Sequence, residues 1–148
     1  MFKHKRFGDH ALGMLLMLLN HLKRADSEVR NGIWRRAENR GHEINGKTIG
    51  IIGYGNMGST FAKRFQGFDC KVLAHDKYKA NFGTPFIQEA TLDEIYEQAN
   101  IVSIHLPLNS ETHYYINDEF ISKFKKNIYI INTARGKCLN TSDLAIML

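Results

Sequence analysis

Thr48-Ile-Gly-Ile-Ile52, running into Gly53-Tyr-Gly55-Asn-Met-Gly58, is the stretch that decides the fold. Its first five residues are a short apolar run of strand type. The period then changes: in Asn56–Gln66, Met57, Phe61, Ala62 and Phe65 fall on one helical face, and Gly67 stands where that helix can stop. Between strand and helix lies G-x-G-x-x-G, in the one context that gives the motif meaning. Gly53 permits the tight turn, Gly55 lets backbone approach a pyrophosphate, and Gly58 lets the helix lie close to the sheet. Amides at the start of the helix then face the phosphates, where the helix dipole favours negative charge.

Asp76 lies 18 positions after Gly58, at the end of a second apolar strand, Lys71–His75. A carboxylate there accepts hydrogen bonds from ribose hydroxyls and repels a 2′-phosphate. The pattern therefore predicts NAD rather than NADP, with Lys77 and Lys79 partly offsetting the preference.

Outward from this core the chain keeps alternating. Thr91-Leu-Asp-Glu94 is a capping box opening a short helix, and Ile101–Ile104 is a strand. Asn117 caps a helix reaching Lys125, Asn127–Asn132 holds a β-rich run, and a last helix begins near Thr141 or Ser142. Upstream, Gly8–Arg30 reads as one long helix with Leu12, Leu15, Leu16, Leu19 and Leu22 on its apolar side, ended by Asn31-Gly32. Strands that are apolar throughout belong to a sheet covered on both faces. The expected fold is α/β, a Rossmann-type doubly wound parallel sheet, preceded by a long apolar helix and incomplete at its C-terminal end.

Composition narrows the function. The chain has 148 residues, 43% of them hydrophobic and 24% charged, as in a globular domain. The net charge of +5 is scattered, and the runs Lys3–Arg6 and Lys123–Lys126 lack interleaved aromatics, so nucleic acid is not an expected partner. Cys70 and Cys138 form neither a disulfide framework nor a metal motif. Basic Met1–Arg6 before apolar Ala11–Leu19 has the outline of an export signal. Asp9 and His10 break it, though, no small-residue cleavage site follows, and the run is short of the ~18 residues of a membrane span. A cytoplasmic chain without a membrane partner is expected. Gly41-His-Glu-Ile-Asn-Gly46-Lys47-Thr48 matches a nucleoside-triphosphate loop letter for letter. It has a strand after it instead of a helix, which excludes that reading.

Four segments resemble, in order, the NAD-binding domain of the D-isomer-specific 2-hydroxyacid dehydrogenases, the group that includes phosphoglycerate dehydrogenases. They are His10-Ala-Leu-Gly13, Gly46–Gly58, Val102–Leu108 with Glu111-Thr112, and Ile131-Asn-Thr-Ala-Arg-Gly136. The resemblance runs from about Asp9 to Leu148. It implies main-chain contacts to the pyrophosphate from Asn56 and Met57. Leu106, Pro107 and Thr112 would line the cofactor pocket, and Thr133 and Ala134 would lie near the nicotinamide. Arg135 would be the catalytic arginine, whose planar fork binds a 2-oxoacid carboxylate. His105 matches a pocket position and not the family's catalytic histidine.

The resemblance also implies a histidine paired with a carboxylate, C-terminal to the Asn-Thr-Ala-Arg-Gly motif, and a substrate domain on both sides of the cofactor domain. The twelve residues after Gly136 contain no histidine, and Asp143 is their one carboxylate. The expectation is one NAD-binding domain over residues 1–148, with 1–8 an atypical basic extension and no substrate domain. Such a fragment of a hydride-transferring enzyme for a D-2-hydroxy acid, 3-phosphoglycerate-like, would not be catalytic alone. It would pair as a homodimer through the Leu12–Leu22 helix. The alternatives are an NAD-responsive corepressor-like binding module and a truncated product without function.

Overall fold

The computed structural model describes residues 3–148, with side chains from residue 6 onward. Its sheet has five parallel strands among the described residues: β1 (Thr48–Ile52), β2 (Lys71–His75), β3 (Ile87–Glu89), β4 (Ile101–Ile104) and β5 (Tyr129–Asn132). Their order is β3-β2-β1-β4-β5. The chain moves outward from β1 on one side, then returns to the centre and moves outward on the other. That reversal leaves a crevice above the carboxyl ends of β1 and β4.

Alternation along each strand assigns side chains to two cores. Ile49, Ile51, Val72, Ala74 and Ile101 point to one face, where α1 (Lys3–Leu19) and α3 (Asn56–Ala62) supply Ala11, Leu15, Leu19, Phe61 and Ala62. Ile52, Leu73, Val102 and Ile104 point to the other, against α4 (Leu92–Gln98) and α5 (Asp118–Ser122) through Ile95, Tyr96 and Phe120. Both faces are covered, so the strands have no polar side to show water. Each large side chain fully buried here contributes about 1.5–3 kcal/mol. Thr91 caps α4 through a complete capping box, and Asn117 Oδ1 accepts from Phe120 N at the start of α5. The last helix, α6, covers Thr141–Met147.

One expectation fails. The long helix Gly8–Arg30 is two helices, α1 and α2 (Leu22–Arg30), separated at Asn20-His21. His21 adopts φ of +52°, and Leu19 O accepts from His42 N at 3.0 Å instead of from Lys23 in the next turn. Gly41 makes this docking possible, since a Cβ there would lie 2.7 Å from Asn20 Cα. The leucine stripe is also divided: Leu15 and Leu19 are fully buried under the sheet while Leu22 is 52% exposed.

Other differences are smaller. α3 ends at Ala62 and tightens into a 3-10 turn over Lys63–Phe65. α5 stops at Ser122, where the chain turns so that Lys125 N can donate to Tyr96 O. β3 was not expected: its three residues carry one buried apolar side chain, Ile87, and pairing with β2 holds them in place. Thr48 opens β1 directly after Gly46-Lys47, so no helix follows that glycine loop.

Candidate functional site

A continuous groove crosses the carboxyl ends of β1, β2, β4 and β5. Its first half is lined by Gly53, Gly55, Asp76, Lys77, Tyr78, Leu106, Pro107, Glu111 and Thr112, among others. Its second half is lined by Gly55, Asn56, Met57, Leu106, Pro107, Thr133, Ala134 and Arg135, with Phe7 at its edge. Gly55, His105, Leu106 and Pro107 belong to both halves. The fold therefore brings all but one of the sequence-derived site residues to one groove. The exception, Gly58, lies beneath it as the contact between α3 and β1.

The glycines are required by geometry. Gly53 has φ of +91°, and a Cβ there would stand 2.8 Å from His105 O. At Gly58 a Cβ would fall 2.0 Å from Gly53 O, so the first turn of α3 rests directly on the turn that precedes it. At Gly55 a Cβ would project into open space, with nothing within 4 Å. The bare backbone of Gly55 thus faces a space that a side chain would fill and a ligand can use.

Asp76 is fixed by the backbone around it. Its Oδ2 accepts from Tyr54 N at 2.8 Å, and its Oδ1 accepts from Tyr78 N at 2.9 Å and Lys79 N at 3.1 Å. Lys79 Nζ donates to Tyr54 O at 3.1 Å, and the Tyr54 ring stacks on Phe82 at 4.4 Å. A carboxylate has about four acceptor positions, so Asp76 is oriented without being exhausted.

Opposite it, the loop after β4 is stiffened internally. Asn109 Oδ1 accepts from Glu111 N and Thr112 N, both at 3.0 Å, and the Thr112 hydroxyl donates to Pro107 O at 2.5 Å. Lys77 Nζ and the Tyr78 hydroxyl each donate to Glu111 Oε2 at 2.7 Å, joining the two walls. This link joins positions 34 apart in the chain. Glu111 was legible as part of a motif, but nothing in the sequence places it against Lys77.

At the far end Asn132 stitches the turn after β5. Its Oδ1 accepts from Ala134 N at 3.0 Å and its Nδ2 donates to Arg135 O at 3.2 Å. The exposed Arg135 guanidinium makes one bond here, from Nη1 to Ala134 O at 3.0 Å. Thr133 Oγ1 is buried without a partner among the described residues. An unpaired buried hydroxyl costs about 1–3 kcal/mol. His105, between the halves, is partly buried against Phe61, with Nε2 2.9 Å from Ser103 Oγ. Burial drops its pKa to about 4, so its imidazole is neutral at pH 7.

A glycine turn under a helix start, an acceptor at the end of the second strand and a groove at the switch point together define a dinucleotide-binding domain of the Rossmann class. Comparison with known proteins narrows the class. The family described as "D-isomer specific 2-hydroxyacid dehydrogenase, NAD binding domain" matches residues 12–148. A hydroxypyruvate reductase of Thermotoga maritima is 36% identical over 134 residues, covering 90% of this chain and 44% of the relative. A glyoxylate reductase of Thermofilum pendens is 38% identical over 143 residues, covering 92% and 42%. The structure of D-lactate dehydrogenase from Aquifex aeolicus complexed with NAD and lactic acid superposes with a TM-score of 0.83 at 36% identity, covering 93% of this chain and 42% of that one. The chain belongs to the NAD-binding domain family of the D-isomer specific 2-hydroxyacid dehydrogenases, and its cofactor is NAD. It spans less than half the length of these relatives.

Proposed function

We propose that this chain is the cofactor-binding portion of an oxidoreductase that moves a hydride between NAD(H) and a small D-2-hydroxy acid or its 2-oxoacid, 3-phosphoglycerate-like compounds included. The observation that carries this reading is the single groove joining Gly55 and Asp76 at one end to Thr133 and Arg135 at the other. The names of the reductase relatives support the substrate class.

In this reading Gly53, Gly55, Asn56 and Met57 hold the pyrophosphate with backbone, and Gly58 seats the helix beneath it. Asp76 accepts from the ribose hydroxyls. Leu106, Pro107 and Thr112 wall the pocket, and Thr133 and Ala134 face the nicotinamide. NAD, when bound, supplies the hydride-carrying centre. Arg135 pairs bidentately with the substrate carboxylate and polarises the adjoining carbonyl.

Carbonyl reduction also needs a proton, and a donor works best with a pKa near the operating pH. His105 is the one histidine lining the Arg135 half of the groove among the described residues, and its depressed pKa leaves it no proton to give at pH 7. The proposal is that these residues bind cofactor and substrate carboxylate, and that the acid comes from outside them. Titrating the NADH-loaded chain with oxamate, a 2-oxoacid mimic, tests the arginine: saturable binding is expected, and its loss in Arg135→Gln. Oxidation of NADH by glyoxylate or hydroxypyruvate with this chain alone would overturn the proposal that the acid lies elsewhere.

Residues 1–148 are taken as one NAD-binding unit. A homodimer through Leu12–Leu22 is part of the proposal, supported by the exposed side chains of Met17, Leu18 and Leu22. Sedimentation equilibrium checks it. Cytoplasmic location is proposed from the two unpaired thiols, Cys70 and Cys138. No helix among the described residues is long and apolar enough to cross a membrane.

A further inference from the structure

Lys77 immediately follows the carboxylate that faces the ribose, where a cation would be expected to welcome a 2′-phosphate. It is not free to do so. Its Nζ donates to Glu111 Oε2 on the opposite wall at 2.7 Å, and the Tyr78 hydroxyl donates to the same oxygen at 2.7 Å. Lys77 Nζ also lies 5.3 Å from the centroid of the Tyr78 ring. Glu111 is presented by the Asn109 turn described above, so the acceptor is held in position by its own loop. The second cation beside Asp76, Lys79, donates to the neutral Tyr54 O at 3.1 Å and has no carboxylate partner among the described residues, so it is the same in every variant below.

We propose that Glu111 is a second determinant of the preference for NAD over NADP. Asp76 repels a 2′-phosphate, and Glu111 withholds from it the Lys77 ammonium that could neutralise it. This rests on the reading of the groove as the NAD site. The bond holds the Glu111 carboxyl below its usual range and the Lys77 ammonium above, so both are charged at neutral pH. Lys77 and Glu111 are more than half exposed, and exposed pairs contribute little to stability. Breaking this one leaves the fold intact and acts on ligand choice.

The test measures dissociation constants for NADH and NADPH, by displacement of bound NADH, in the unaltered chain and three variants. In Glu111→Gln the ratio of the NADPH to the NADH constant falls about fivefold, the range of an exposed charge pair. In Glu111→Gln with Lys77→Gln the ratio returns to that of the unaltered chain. In Lys77→Gln alone it rises or holds and does not fall, because the ammonium was already engaged and the bared Glu111 carboxylate adds to the repulsion. An unchanged ratio in Glu111→Gln, or a gain that survives removal of Lys77, overturns the proposal. A lower ratio in Lys77→Gln alone does so too, since it would mean that the bared Glu111 carboxylate does not act against the phosphate. Failure of the unaltered chain to bind NADH is a separate result that contradicts the cofactor site itself, and the inference with it.

Discussion

Gly55 and Gly58 sit three residues apart in one motif and should fail in different ways. Alanine at Gly58 drives its Cβ to 2.0 Å from Gly53 O, so α3 must lift from β1. Overpacking of this kind costs about 1–3 kcal/mol or more, and thermal unfolding of Gly58→Ala should show it. Gly55→Ala meets nothing within 4 Å, so its melting stays close to that of the unaltered chain while its NADH affinity falls. His105 gives a second residue-scale prediction. Its pKa drops from an ordinary 6.5 to about 4 because burial disfavours the cation. Between those values the unfolded chain takes up a proton that the folded chain refuses. The stability is fully present above pH 6.5 and falls as pH falls toward 4, by about 3 kcal/mol in all. Denaturant unfolding across that range should give a flatter acid limb in His105→Gln; identical pH profiles would contradict the assignment.

At the scale of elements, local chemistry explains what the sequence made legible. β1, β2 and β4 announce themselves as apolar runs with exact bounds, because each is buried on both faces. The α4 start is equally plain, since Thr91 and Glu94 satisfy each other's backbone amides within four residues. Thr91→Ala should therefore cost about 1 kcal/mol, measurable by denaturant unfolding. The elements that local sequence does not reveal depend on distant partners. The break between α1 and α2 needs Gly41 and His42, some twenty residues downstream, to take over the Leu19 carbonyl. Within residues 8–30 alone, nothing interrupts the helical period. β3 exists through its ladder to β2, and one buried isoleucine in three residues is too weak a signal to find it. The site divides the same way. The glycine turn, Asp76 and the Thr133–Arg135 turn are contiguous motifs and were readable. The Lys77–Glu111 bridge joins residues 34 apart and was not.

For the whole molecule, the order β3-β2-β1-β4-β5 is what converts separate motifs into one site. It lays the ends of β1 and β2 beside those of β4 and β5, so that a ligand long enough to reach from Asp76 to Thr133 touches all four. The central claim is that NAD occupies that groove with its pyrophosphate on the Gly55 backbone. Calorimetric titration of the folded chain with NADH, alongside Gly55→Val, tests it most directly. The account predicts saturable one-to-one binding by the chain and its loss in Gly55→Val, with both proteins folded by circular dichroism. Absence of saturable binding to the folded chain, or equal affinity in Gly55→Val, would contradict it.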